Sequence, residues 1–280
     1  MTHYAVATLE ELWSSDRLVE RRLSHGEARE DARGIIATDL RDDALVAACE
    51  RAMHHARERC VAANRRIVVE ATRDNVTTLI VLREGVHSLV THPKDFVRDH
   101  ELLRTIAART VEADEVEALP IVWRNGSAAV LLHEAIGHAL EHGHRSIKWP
   151  SWLRVDVPLA SRRASFRDVP LQRMTHLVAG QRGASMSMPA RRIDVLLLDG
   201  GAYEPLTETI TLRISAADLI DGETSRRLPP FTLVKTRREI ARALVGAEGD
   251  PIRYPGVICS REGQELFVAS YAPVMLTVFR

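Results

Sequence analysis

Apolar positions recur at helical spacing through residues 1–64. LEELWSSDRLVERRL carries them about a turn apart, and DDALVAACERAMHHARERCVAA is a long, alanine-rich amphipathic pattern, so this stretch predicts N-terminal helices. From Arg66 the pattern changes. RIVVEAT, TTLIVLRE and GVHSLVTH are short, β-branched runs separated by Asp74-Asn75 and Gly85, which predicts a small β-meander. Helical spacing returns in DHELLRTIAARTVEADEVEA, and Leu119-Pro120 ends the periodicity, giving an N-terminal α+β domain over residues 1–118.

Residues 119–280 read as a second, β-rich domain. It opens with the strand-like IVW at 121–123 and the turn Arg124-Asn125-Gly126, after which Ser127 is placed to cap the helix AAVLLHEAIGHALEH. An irregular stretch rich in Pro, Trp and Arg comes after Gly143 and runs through RRASFRDVPLQRMTH. IDVLLLDG, ETITLRISAADLID, PFTLVKT, GVICS, ELFVASY and VMLTVF then read as strands, interrupted by the short helix RREIARALVG. The expected fold class is α+β: N-terminal helices with a small β-meander, then a motif helix packed on a mostly antiparallel β C-terminal domain.

Composition narrows the function classes. Lys plus Arg and Asp plus Glu each number 38 in 280 residues, and a formal net charge of zero gives no support to nucleic acid as a partner. The first residues lack the charged start and apolar core of a signal peptide, and no apolar run is long enough to span a bilayer. A cytoplasmic protein with no membrane partner is expected. Three cysteines, Cys49, Cys60 and Cys259, are too few for a disulfide framework and fit a reducing compartment. Cys49 and Cys60 keep apolar company on a helical pattern and read as packing residues.

The segment HEAIGH, His133 to His138, carries the candidate chemistry. Histidine followed by glutamate, with a second histidine nearby on one helix, is a recurrent hydrolytic zinc site: imidazoles ligate, and the carboxylate takes a proton from the attacking water. Two histidines four residues apart sit about 40° apart around an α-helix, whereas a separation of five opens the angle to about 140°. Convergence on one ion therefore requires a wider turn, such as a π-bulge, or a break near Gly137. On spacing alone, a solvated polar face remains open as the alternative. His142, four residues after His138, forms a competing pair with it, and His144 is close behind. Both lie at the helix exit, where an exposed polar residue needs no special explanation.

Beyond the spacing, the chain resembles the TldD/PmbA metallopeptidases, specifically their metal-bearing TldD side, in a shortened form. VLLHEAIGHALE is similar to the family's HExxxH helix. RRASFRDVPLQRMTH resembles the stretch that ends here in Pro170, Arg173, Met174 and Thr175, and GVICSREGQELFVASYAPVML resembles the C-terminal element with a cysteine and a Gly-Gln pair, Gly263-Gln264. The similarity covers residues 120 to 280. It implies His133, His138 and Cys259 as zinc ligands and Glu134 as the general base, an arrangement that leaves one coordination position open. From the residues alone, Cys259 reads as a core residue.

The resemblance further implies a peptidase acting on peptides or unfolded segments, a precursor peptide among them, with a TldE-like partner subunit or a homodimer. Two other functions stand beside it: a metal-dependent tailoring enzyme acting on another amide or acyl bond, and a structural subunit of a TldD/TldE-like heterodimer. The Trp149–Arg163 loop departs from the family. Arg162, Arg163 and Arg173 are candidates for gripping a peptide carboxylate or backbone, or for pairing with structural carboxylates.

Overall fold

A computed structural model describes residues 3–31, 34–38, 43–61, 63–72, 76–84, 87–108, 119–144, 147–163, 170–174, 176–255, 257–261 and 264–279. The chain divides into two compact units. The first is mainly Met1–Ala107, and the second is built from Ala108–Arg162, Pro170–Cys259 and Leu266–Arg280. The expected domain boundary adjoins residues 109–118, which lie outside the described residues.

In the first unit, β1 (His3–Ser14), β2 (Arg17–Asp31), β3 (Gly34–Thr38), α1 (Asp43–Arg59), β4 (Asn64–Thr72), β5 (Val76–Glu84), β6 (His87–Thr91) and α2 (Phe96–Ala107) come in that order. The strands form one antiparallel sheet in the order β3-β2-β1-β4-β5-β6, and both helices pack on it. The meander β4-β5-β6 is as expected, and so is the helix over DALVAACERAMHHARER. Residues 3–31 correct the helical reading: they form a hairpin closed at Ser14–Arg17, with Ser15 at φ 51°. In β1 the governing spacing is two, with Ala7, Leu9 and Glu11 all buried on one face. A charged residue at a core position broke the alternation that would have marked the strand. Along α1 the buried stripe is Leu45, Val46, Cys49, Met53 and Ala56. Cys49 Sγ lies 3.2 Å from the Ala7 carbonyl oxygen, and burial pushes the Cys60 thiol up to about 12, so both are core groups.

The second unit begins with β7 (Ile121–Trp123) and α3, which is α-helical over Ala128–Leu132, π-helical over His133–His138 and α-helical again over Ala139–Glu141. β8 (Leu153–Asp156), β9 (Leu159–Arg163), β10 (Pro170–Met174), β11 (His176–Gln181), β12 (Arg191–Glu204), β13 (Thr209–Asp221), β14 (Thr224–Leu228), β15 (Phe231–Thr236), α4 (Arg237–Ala243), β16 (Leu244–Arg253), β17 (Val257–Arg261) and β18 (Gln264–Thr277) complete it. A 10-stranded sheet runs β14-β13-β12-β7-β18-β11-β8, with β15 on β13 and with β16 and β17 on β18. β12 with β7 and β11 with β18 pair parallel, whereas β11 with β8, β12 with β13, β13 with β14 and β15, and β18 with β16 and β7 pair antiparallel. ELFVASY and VMLTVF, read as two strands, are one, β18. The fold class is α+β, as expected.

α3 is apolar all round over AAVLL, and every residue of that turn is buried, as a helix surrounded by protein should be. It packs on β11, β12, β10 and α4. Ser127 does not cap it; the hydroxyl instead reaches the Val195 carbonyl of β12 at 3.4 Å, tying the helix start to the sheet. Trp123 is fully buried, with its indole N–H donated to Thr277 Oγ1 at 3.0 Å, which joins β7 to β18.

Candidate metal centre

The five-residue spacing in HEAIGH is met by a π-turn that spans His133–His138. Its wider turn, with more residues per turn, swings both imidazoles to one side, with ring centroids 4.9 Å apart. Cys259 arrives from β17, and one ligand atom from each of His133, His138 and Cys259 lies within 4.8 Å of the others. The three could hold a metal ion. His138 Nε2 is 3.5 Å from Cys259 Sγ. Both ring nitrogens of His133 are buried without a hydrogen-bond partner. A buried imidazole with no partner is an uncompensated desolvation cost unless something ligates it.

The extra residue of the π-turn is matched from outside the helix. Arg237, at the start of α4, donates through Nε to the Ala135 carbonyl at 2.8 Å and through Nη1 to Glu208 at 2.6 Å. Glu141 accepts from His138 Nδ1 at 2.8 Å, which leaves Nε2 facing the cysteine sulfur. The other oxygen of Glu141 accepts the Met174 amide at 2.6 Å. Arg173, fully buried, donates to the Cys259 carbonyl at 2.8 Å, reaches its Sγ at 3.4 Å and sits 3.5 Å from Glu141. A Cβ at Gly137 would overlap only the flexible end of Met174, so glycine is favoured there by close approach rather than by backbone freedom.

Glu134 turns toward β12, where Gly201 makes room for it. A Cβ on Gly201 would meet Glu134 Oε1 at 2.8 Å and Cγ at 2.7 Å. Oε2 lies 3.6 Å from His138 Nε2 and has no hydrogen-bond partner. Burial pushes the Glu134 carboxyl up to about 7, His138 acting against it. His133 is pushed down to about 3, chiefly by burial and then by the neighbouring His138, so it stays neutral with one ring nitrogen's lone pair available. Burial also works against the charged form of His138, but hydrogen bonds to Cys259 and Glu141 prevail and raise it to about 10.

The remaining candidates separate. His142 and His144 lie past the helix end and do not join the three-residue group; His144 Nδ1 instead contacts Tyr203 Oη at 2.8 Å and Glu208 at 3.2 Å. Arg173 is a buried support for Cys259, not a group exposed to peptide, which resolves its two readings. Arg162 and Arg163 lie on β9, and their side chains are outside the described residues. Glu141, Gly201 and Arg237 were not singled out from the sequence. Only Glu141 left a signal, its i+3 position after His138 on the motif helix.

The sequence matches no family profile and no curated protein. Among solved structures, TldE from Thermococcus kodakarensis aligns over 98% of this chain and 96% of its own, with 11% identity and a TM-score of 0.53. A protein described as a candidate modulator of a DNA gyrase, from Thermotoga maritima, aligns over 99% of this chain and 94% of its own at 9% identity and a TM-score of 0.45. Another so described, from Bacteroides thetaiotaomicron, aligns over 99% and 94% at 12% identity and a TM-score of 0.41. The likeness to TldE shows that the chain has the TldD/PmbA-family fold.

Proposed function

We propose that this chain is a zinc-dependent metallopeptidase that hydrolyses bonds in peptides or unfolded segments, a precursor peptide among them. The observation that carries the reading is the convergence of His133, His138 and Cys259 beside a buried Glu134 whose Oε2 has no hydrogen bond. Zinc with nitrogen ligands at about 2.0–2.1 Å and sulfur at about 2.3 Å sets tetrahedral donors about 3.5 Å apart. The His138–Cys259 pair already has that separation, 3.5 Å. Two imidazoles and a thiolate suit zinc better than a harder ion. Bound there, zinc would acidify water and polarise the scissile carbonyl.

The protein's own groups divide the remaining work. Glu134 takes the proton from the attacking water and returns it to the leaving amine. Glu141 fixes the tautomer of His138, and Arg173 holds Cys259 with its cation beside the sulfur. Gly201 keeps the base close to the strand. A TldE-like partner subunit or a second copy of the chain is proposed to complete the assembly, supported by the fold shared with TldE.

The test is cleavage of unstructured peptides by purified protein, alone and with a TldE-like partner, comparing wild type with Glu134→Gln alongside zinc analysis. Zinc uptake by both proteins with cleavage only by wild type supports the reading. Full zinc content and activity in Cys259→Ala would exclude the three-ligand site. A folded protein that takes up no zinc would be a structural subunit.

A further inference from the structure

A second polar cluster sits beyond the motif helix. His144 Nδ1 is shared between Tyr203 Oη at 2.8 Å and Glu208 Oε1 at 3.2 Å, and Arg237 pairs with the same Glu208 oxygen at 2.6 Å. Slight burial raises the Glu208 carboxyl, but hydrogen bonds from Arg237 and His144 prevail and hold it below the ordinary range, so it is an acceptor only. His144 Nδ1 must then carry the proton, a tautomer inferred from its partners. That N–H faces the phenol oxygen as an acceptor. Arg237, which also approaches the phenol oxygen, is a donor only. Neither contact uses the Tyr203 proton, which is left to donate elsewhere.

Strand geometry places this donor near the candidate centre. Gly201 pairs with Leu212 and Tyr203 with Ile210 across β12 and β13, an unbroken register in which the two β12 residues share a face. Ala202 and Glu204 are exposed, whereas Gly201 and Tyr203 are half-buried. The Glu134 carboxylate lies over Gly201, so Tyr203 is about 7 Å further along the same face. A peptide laid along β12 with its scissile bond beside Glu134 would reach Tyr203 within about two residues.

We propose that Tyr203 binds substrate, donating its hydroxyl proton to a backbone carbonyl oxygen of an extended peptide, with His144, Glu208 and Arg237 as positioning residues. The ligand class is an unstructured polypeptide read through its main chain, and the inference rests on the peptide-hydrolysis reading above. Tyr203→Phe keeps the ring and removes only the donor. It should raise KM about three- to tenfold, the range of one neutral hydrogen bond, with kcat within about twofold. His144→Gln should raise KM similarly, and the double variant no further. Anisotropy of a fluorescein-labelled Ala-Ser peptide binding to Glu134→Gln protein should fall in affinity by the same factor when Tyr203→Phe is added, with or without zinc. Cleavage by wild type with KM and peptide affinity unmoved in Tyr203→Phe would overturn this inference and leave the proposed function standing. Peptide binding weakened by Tyr203→Phe in a protein that cleaves nothing would do the reverse. Neither cleavage nor binding by wild type overturns both.

Discussion

Glu11 in the first unit and Glu134 in the second are both buried almost completely, and the two are treated in opposite ways. Glu11, on β1, is fully buried and bonded on both oxygens: Arg57 Nε at 2.7 Å, the Trp13 indole N–H at 3.0 Å, Arg21 Nε at 3.5 Å and a second nitrogen of Arg57. Glu134, on α3, is 2% exposed and leaves Oε2 without a hydrogen bond. A buried charge that is fully paired belongs to the scaffold; a carboxylate oxygen left without a hydrogen bond beside the unpartnered imidazole of His133 is poised for a ligand or a proton. The contrast separates architecture from chemistry using partners alone.

Substitution of the two glutamates should split activity from stability. Glu134→Gln should lower peptide cleavage by about 10²–10⁴-fold, the usual worth of a general base, without lowering Tm. Zinc should stabilise the wild type by about 4 kcal/mol at a concentration a thousandfold above its Kd. Cys259→Ala should lose most of that gain in a thermal melt, whereas Cys49→Ala should retain it. Glu11→Gln should leave zinc uptake and cleavage intact while costing roughly 1–3 kcal/mol in denaturant unfolding, because Arg57 keeps partial access to water. The smallest effect belongs to Gly137→Ala. The overlap falls on the flexible end of Met174, and the gain in helix propensity offsets it, so the net change should be under about 1 kcal/mol. A change of several kcal/mol there would mean that the π-turn itself depends on Gly137.

Much of this was readable in advance where the cause was local. The α1 stripe, the β4-β5-β6 meander and the antiparallel C-terminal strands arise from periodicity within a few residues. The need for a wide turn in HEAIGH came from angle arithmetic and is met by the π-helix. The β1–β2 hairpin was not readable: Leu9, Leu12 and Trp13 mimic a helical face, while the buried position 11 carries a charge whose partner, Arg57, is supplied by α1. Arg173, Gly201 and Arg237 act across the fold on atoms far away in sequence, so no window of sequence contains both ends of their interactions. Cys259 falls between these cases. Its neighbours say core, and only resemblance to a known family says ligand.

The π-turn also has a consequence for how such a helix tolerates change in length. A π-turn is an α-helix that holds one surplus residue and absorbs it locally, so the flanking turns keep their phase. Deleting Ile136 should therefore regularise the segment rather than rotate the last helical turn by about 100°. The histidines would fall four apart, still on one side, and Glu141 would still sit one turn beyond the second of them. A centre that tolerated that deletion would show that the two spacings are interchangeable solutions to one angular problem, separated by a single codon.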